Sequence, residues 1–377
     1  MKIAFDLRRI GNPGIGRYMK CLVESVVKAA PENNYLLVLP PGREEAVAVD
    51  GPNVARVTPD LKYYSIREQV VLPRLLRQHE VDLLHSPHFL LPVMCPCPAV
   101  VTIHDVIYLA CKEDLPSLPG RLYYRAMMSL AVRSAERIIT DSEFSRNDIV
   151  ARLNGDSEKI DVIYPGVDAR FARVQDEKEL HRIRAKYGIT GDYILYAGIY
   201  KLRKNHAGLL RAFKKFLVDG IRAQCVIAGP LQEGENILRR MAAELGISES
   251  VVFAGFVPET DLPALYSAAK IYACPSLYEG FGFTVLEAMA CGTPVVCSPA
   301  TSLPEAAGNG ALYADSKNTE DFAHALRRAF HDETLRRELI EKGYKNAKSF
   351  TWDRASEQTL AIYQRVVGAP LRNMVRA

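Results

Sequence analysis

Apolar and polar positions along the chain fall into two alternating regimes. Short, mostly apolar runs occupy 3–7, 35–39, 81–85, 99–103, 137–140 and 162–164, and segments of helical period separate them. Such runs are strands buried on both faces, the mark of a parallel sheet covered by crossover helices. The alternation pauses at Pro165-Gly166-Val167-Asp168, which is turn chemistry, and the charged segment 175–186 reads as an exposed linking helix. A second series follows at 193–197, 224–228, 251–254, 271–273 and 294–297. Beyond it, 352–366 has the pattern of an amphipathic helix. The expectation is an α/β chain of two doubly wound, Rossmann-like domains, residues 1–167 and 168–350, facing an interdomain cleft. Residues 351–377 are expected to form a C-terminal helix that crosses back to the first domain.

Length and composition agree with two domains. The chain has 377 residues, 48% of them apolar and 24% charged, and no stretch approaches the ~20 apolar residues that span a bilayer. The N-terminus lacks the apolar core of a secretory signal, so a cytoplasmic location is expected. A formal charge of +4 is too small to imply nucleic acid. The eight cysteines form no C-x-x-C pair and no Cys/His zinc spacing, and are read as buried thiols in a reducing compartment. Cys95-Pro96-Cys97 reads as a rigid turn, with a soft-metal site as the alternative.

Four loops carry candidate chemistry, each at the carboxyl end of an expected strand, where doubly wound sheets bind ligands. The segment 276–290 runs Ser276-Leu277-Tyr278-Glu279-Gly280-Phe281-Gly282-Phe283-Thr284 and on through Glu287. Glycines between a strand and a helix place main-chain N–H groups and the positive helix end at the crevice, which suits a diphosphate. A carboxylate accepts two hydrogen bonds at once, so Glu287 suits the paired hydroxyls of a ribose and Glu279 those of a second sugar. A plain helix cap with surface acids is the competing explanation. The loop 198–205 puts Arg203 and Lys204 where they would neutralise a pyrophosphate leaving group, or form a solvated basic turn.

The third loop, Arg9 to Tyr18, has the order G-x-x-G-x-G rather than the dinucleotide fingerprint G-x-G-x-x-G. The second strand also ends in Leu39-Pro40-Pro41-Gly42, without the ribose-binding acid. An NAD enzyme is therefore disfavoured, and Gly14 and Gly16 are read as letting backbone approach a phosphate or sugar. The fourth loop ends a strand with Thr102-Ile103-His104-Asp105, where His104 is either structural or a hydrogen-bonding partner of a substrate.

Taken together, these motifs resemble glycosyltransferase family 4, a large retaining family with the two-domain GT-B fold. They occur in family order: Gly14-x-Gly16, His104-Asp105, Tyr164-Pro165-Gly166-Val167-Asp168, Arg203-Lys204-Asn205, Glu279-x7-Glu287 and Ser302-Leu303-Pro304-Glu305. The resemblance implies that Glu279 contacts the donor sugar, backbone from Phe281 through Gly282 and Phe283 to Thr284 holds the diphosphate, and Glu287 binds the ribose. Lys204 with Arg203 would stabilise the leaving pyrophosphate. His104 and the Gly14 to Gly16 loop would sit beside the donor sugar, and Gly255, Phe256 and Val257 match the region that holds the base. One departure is Ile199, where many members carry Arg after the glycine. No Asp-x-Asp pair occurs, and fixed cations with helix N–H groups would stabilise the departing nucleotide without a metal or other cofactor.

The wording of these motifs is similar to bacterial mannosyltransferases of surface-polysaccharide synthesis such as lipopolysaccharide. The expected partners are a nucleotide-sugar donor, GDP-mannose before UDP-sugars, and a glycan or lipid-linked acceptor bound on the first domain through loops such as 62–68 and 112–120. Arg121, Arg125, Arg133 and Arg137 fall within about 160° of one helix beside Leu122 and Tyr123. That segment reads either as a peripheral membrane contact at the inner face of the cell membrane or as a core-packed helix with a solvated basic edge. Same-fold alternatives are a nucleotide-sugar epimerase, a phosphorylase and an inactive sugar-nucleotide-binding protein.

Overall fold

A computed structural model describes residues 1–12, 14–61, 65, 67–232 and 234–368. It divides into two compact units, Met1–Gly166 together with the chain from Thr351, and Val167–Phe350. In the first unit seven strands form one sheet: β1 (Lys2–Asp6), β2 (Asn34–Val38), β3 (Val54–Val57), β4 (Leu83–Ser86), β5 (Ala99–Thr102), β6 (Arg137–Thr140) and β7 (Ile160–Val162). Their order is β3-β2-β1-β4-β5-β6-β7, and every pair is parallel. The second unit repeats the plan with β8 (Tyr193–Ala197), β9 (Gln224–Ala228), β10 (Val251–Gly255), β11 (Ile271–Cys274), β12 (Val295–Cys297) and β13 (Ala311–Tyr313). Its order is β10-β9-β8-β11-β12-β13, again all parallel. In each sheet the direction of winding reverses beside its first strand, between β1 and β4 and between β8 and β11. Loops leaving these strands open a crevice at their carboxyl ends.

Central strands are buried along nearly their whole length, and helices close both faces. Helix Ile15–Ala29 turns Tyr18, Met19, Leu22, Val23 and Val26 inward, a stripe of helical period. Helix Trp352–Gly368 packs against it through small residues, with the Ser25 hydroxyl donating to Ser356 Oγ at 3.1 Å. In the second unit Leu209, Phe213 and Phe216 of helix His206–Phe216 share a core with Phe322 and Leu326 of helix Thr319–His331.

Several sequence expectations are corrected. β3 and β13 are edge strands of four and three residues, short and only partly buried, and add to the strands expected from the sequence. The run expected at 162–164 pairs instead as Ile160–Val162, alongside Ile138 to Thr140 of β6. Arg137 does not extend the basic helix, because that helix ends at Ser134 and Arg137 begins β6, where its Nε donates to Asp161 Oδ2 at 2.8 Å. The charged segment near 175–186 is a helix, Glu177–Lys186, but it is anchored rather than free. Buried Asp261 accepts from Lys186 Nζ at 2.5 Å, Tyr187 Oη at 2.7 Å and Arg182 at 3.0 Å. Among the described residues no helix is long and apolar enough to cross a membrane.

Candidate functional site

Within the second unit, the loops that follow β8 and β11 flank the reversal of winding, and hydrogen bonds lock them together. Asn205, in the left-handed region with φ of 55°, accepts from Gly208 N through its side chain and so starts helix His206–Phe216. Its Nδ2 donates across to the carbonyls of Ser316 at 3.0 Å and Pro275 at 3.3 Å. The Leu277 N–H donates to the Arg203 carbonyl at 2.7 Å. Held this way, Lys204 Nζ reaches both oxygens of Glu279, at 2.6 and 2.7 Å. Arg203 stands 3.7 Å from Glu279 Oε2 and donates to the Tyr278 carbonyl at 3.2 Å. The Ser276 hydroxyl adds a bond of 2.7 Å to Glu279 Oε1.

Glu279 is only 8% exposed. Burial alone would push its carboxyl up, but the Lys204 and Arg203 charges and the bonds from Lys204 and Ser276 hold it below the ordinary carboxylate value. It is therefore an ionised acid beside two cations. Its main chain is gripped as well: the Glu279 N–H donates to Thr301 Oγ1 at 2.9 Å, and that hydroxyl donates to the Glu279 carbonyl at 3.0 Å. Ser302 Oγ lies 2.9 Å from the Glu279 carbonyl and 3.0 Å from that of Phe281. Thr301 has φ of 54°, an unfavourable value for a β-branched residue.

Helix Phe283–Ala290 starts directly after this loop. Gly282 precedes it with φ of 121°, and a Cβ there would meet Leu303 Cδ2 at 3.0 Å and Ala306 Cβ at 3.3 Å. Only glycine suits that turn, which brings the N-terminal end of the helix to the crevice. The Phe281 ring is buried against Phe283 and Phe350, which leaves its main chain as the part that can serve a ligand. One turn into the helix Glu287 is buried and accepts from Tyr266 Oη at 3.0 Å. At the end of β10, Gly255 has φ of 64°, Phe256 is 72% exposed and Val257 is buried.

The first unit places its candidates around its own reversal point. Gly14 has φ of 78° and open space where a Cβ would stand, whereas a Cβ on Gly16 would lie 2.0 Å from the Ile10 carbonyl oxygen. Gly16 thus serves the tight folding of its own loop, and Pro13 lies outside the described residues. His104 finds its partner on the neighbouring strand's end rather than in the adjacent Asp105: Nδ1 lies 2.7 Å from Asp141 Oδ2, while Asp105 accepts from the Ile107 N–H. Of the loops expected to hold an acceptor, 62–64 and 66 lie outside the described residues, and Glu68 is buried in an ion pair with Arg8 at 3.1 Å. In the segment 112–120 Ser117 accepts from the Gly120 N–H as a helix cap.

Sequence reasoning missed Asp141, Thr301 and Tyr266, which act through tertiary contacts. Asp141 alone left a trace, as a polar residue just past a buried strand. Among the described residues no three His, Cys, Asp or Glu side chains converge as a metal-binding group, and all eight cysteines are free thiols.

Comparison with known proteins agrees with both halves of the chain. Residues 14–171 match the model of Glycosyltransferase Family 4, and residues 179–346 match that of Glycosyl transferases group 1. The O-antigen chain mannosyltransferase B of Escherichia coli is 33% identical over 297 residues, 77% of this chain and 76% of that protein. A glycosyltransferase from Rickettsia africae superposes with a TM-score of 0.76 at 16% identity, covering 98% of this chain and 99% of that one. Anabaena HepE in complex with UDP and glucose superposes with a TM-score of 0.75 at 20% identity, covering 97% and 100%. These superpositions establish the two-sheet GT-B fold. With both domain models matched in order and that identity to an enzyme of the same length class, the chain belongs to glycosyltransferase family 4 and is a glycosyltransferase of the GT-B fold.

Proposed function

We propose that the enzyme moves a hexose, with mannose from GDP-mannose as first choice, from a nucleoside diphosphate sugar to a hydroxyl of a lipid-linked or polysaccharide acceptor, with retention and without a metal. The reading is carried by the cluster of Arg203, Lys204 and Glu279 beside the start of helix Phe283–Ala290. Departure of a nucleoside diphosphate builds negative charge, and cations with helix N–H groups already in place stabilise it without reorganisation. Lys204 has three N–H donors and uses two on Glu279, which leaves one for a phosphate oxygen.

In this reading Glu279 takes donor-sugar hydroxyls, and backbone from Phe281 through Gly282 and Phe283 to Thr284 holds the diphosphate. Glu287, oriented by Tyr266, takes the ribose, and Gly255 to Val257 frame the base. In the first unit, Gly14 and His104 are assigned to sugar contacts, and Gly16 keeps the loop that carries Gly14 tight. Glu279 already gives both oxygens to a cation, so it is a poor nucleophile, and reaction on one face of the sugar, with the leaving phosphate taking the acceptor proton, fits better. Mannose is favoured by the similarity to the O-antigen mannosyltransferase. We also propose that helix Leu118–Ser134 rests on an anionic membrane surface where a lipid-linked acceptor lies.

The test is sugar transfer from a panel of GDP-mannose, UDP-glucose and UDP-N-acetylglucosamine, with Glu279→Ala and Lys204→Ala alongside. Each variant should lose at least 100-fold in kcat/KM, roughly 2.7 kcal/mol of transition-state stabilisation. Unchanged transfer in both variants would overturn the site. Conversion of the donor without an acceptor would instead point to an epimerase, and a requirement for inorganic phosphate to a phosphorylase.

A further inference from the structure

His104 sits just past the end of β5 with an acceptor at each ring nitrogen: Asp141 Oδ2 is 2.7 Å from Nδ1, and the Pro87 carbonyl oxygen is 3.3 Å from Nε2. A neutral ring carries one proton and would turn a lone pair towards one of these oxygens. Only the doubly protonated ring donates to both. Asp141 needs that cation, since it is buried and its second oxygen, Oδ1, meets no donor. We propose that Asp141 is a positioning residue that holds His104 with a proton on each nitrogen, making it a fixed donor to a sugar oxygen and not the base that takes the acceptor proton. The role of the sugar rests on the function proposed above; the protonation of the pair does not.

The surroundings bear on the same balance. Burial pushes His104 down, and the charge and hydrogen bond of Asp141, with Asp105 on its own loop, outweigh it and hold the ring above its ordinary value. From β4 and the loop after it, His85 and His88 are kept neutral by burial, and His104 and, for His88, Arg9 add to that. The Tyr18 ring from helix Ile15–Ala29 meets His104 edge-on at 4.6 Å and brings no charge, its hydroxyl being held protonated by burial and by Asp141. The bond to Pro87 is the looser of the two, so an incoming oxygen can take over or share the Nε2–H while the ring stays anchored through Nδ1–H.

The decisive measurement is the NMR titration of histidine side-chain nitrogens in the full-length protein without donor, with the His104 signal assigned by His104→Gln. His104 should remain doubly protonated above its ordinary pKa of about 6.5. Asp141→Asn should lower its titration by about 1–3 pH units. A neutral His104 at pH 6.5 in the unmodified protein, or an unchanged titration in Asp141→Asn, would overturn the proposal. The unmodified protein decides the protonation even where the variant fails to fold. With whichever donor of the panel is turned over, Asp141→Asn should lose kcat/KM progressively as pH rises through the lowered titration. An equal loss at every pH would mark Asp141 as merely structural. If no donor is turned over, the function proposed above fails while the titration still decides the pair.

Discussion

At the scale of single residues, Thr301 shows how much of the site lies outside the residues that a motif displays. A β-branched residue at φ of 54° is strained by about 1–3 kcal/mol, and here its hydroxyl closes two bonds with the main chain of Glu279. Thr301→Gly relieves the strain and removes the hydroxyl, so stability should hold or rise while catalysis falls. Loss of the clamp is worth about 1–3 kcal/mol, roughly 5- to 150-fold in kcat/KM. Thr301→Ser keeps the hydroxyl and should recover most of the activity. A Thr301→Gly enzyme with unaltered kinetics would show that the loop holds Glu279 without it. Glu279, Lys204 and Glu287 were legible as candidates in the sequence through the order and spacing of their motifs, because a helix cap with surface acids or a solvated basic turn explains each motif taken alone. Thr301 and Asp141 were not, since nothing local distinguishes a hydroxyl or a carboxylate that reaches across to another loop.

Elements were legible in proportion to their burial. Strands such as β1, β8 and β11, apolar on both faces, announce themselves, while the edge strands β3 and β13 and the change from helix to strand before Arg137 depend on neighbours in space. The basic helix is the case where this matters for function. Without Arg137, helix Leu118–Ser134 still exposes Leu118 at 58%, Leu122 at 60% and Tyr123 at 41%, and Arg125 is exposed close by. Its other side, Tyr124, Met128, Ala131 and Val132, is buried, so the helix is fixed in orientation with apolar side chains facing outwards. Apolar side chains beside arginine suit the boundary of an anionic bilayer. Vesicles containing anionic lipid should co-sediment the protein at low salt, less so at high salt, and Leu122→Glu should abolish the binding without lowering thermal stability. Failure of the unmodified protein to bind at low salt would remove the membrane from the proposed function.

On the scale of the whole molecule, the first unit buries two histidines that folding keeps neutral, His85 and His88, and the second unit buries one, His206, and these set the response to acid. Burial lowers His85 of the first unit to about 3 and His206 of the second to about 4, from an ordinary 6.5. Groups with a depressed folded pKa favour the folded state above the unfolded value, and that advantage is lost as pH falls from about 6.5 towards the folded values. His104 and Glu279 do not offset the loss. His104, raised by Asp141, contributes fully below 6.5 and loses its contribution only as pH climbs past its folded value; Glu279, lowered by Lys204 and Arg203, weakens only below about 4.3. Both units should therefore lose several kcal/mol between pH 6.5 and 4, seen as falling thermal midpoints of both unfolding transitions. His206 offers the clean control. It is buried between Tyr196 and Tyr200, with neither ring nitrogen meeting a protein partner. His206→Leu removes two unsatisfied polar atoms and the titration together, so the second unit should be no less stable at pH 7.5 and should melt at nearly constant temperature down to pH 5. The first unit, still carrying His85 and His88, should keep its acid slope, and equal slopes in both units of the variant would refute the assignment of acid sensitivity to these buried rings.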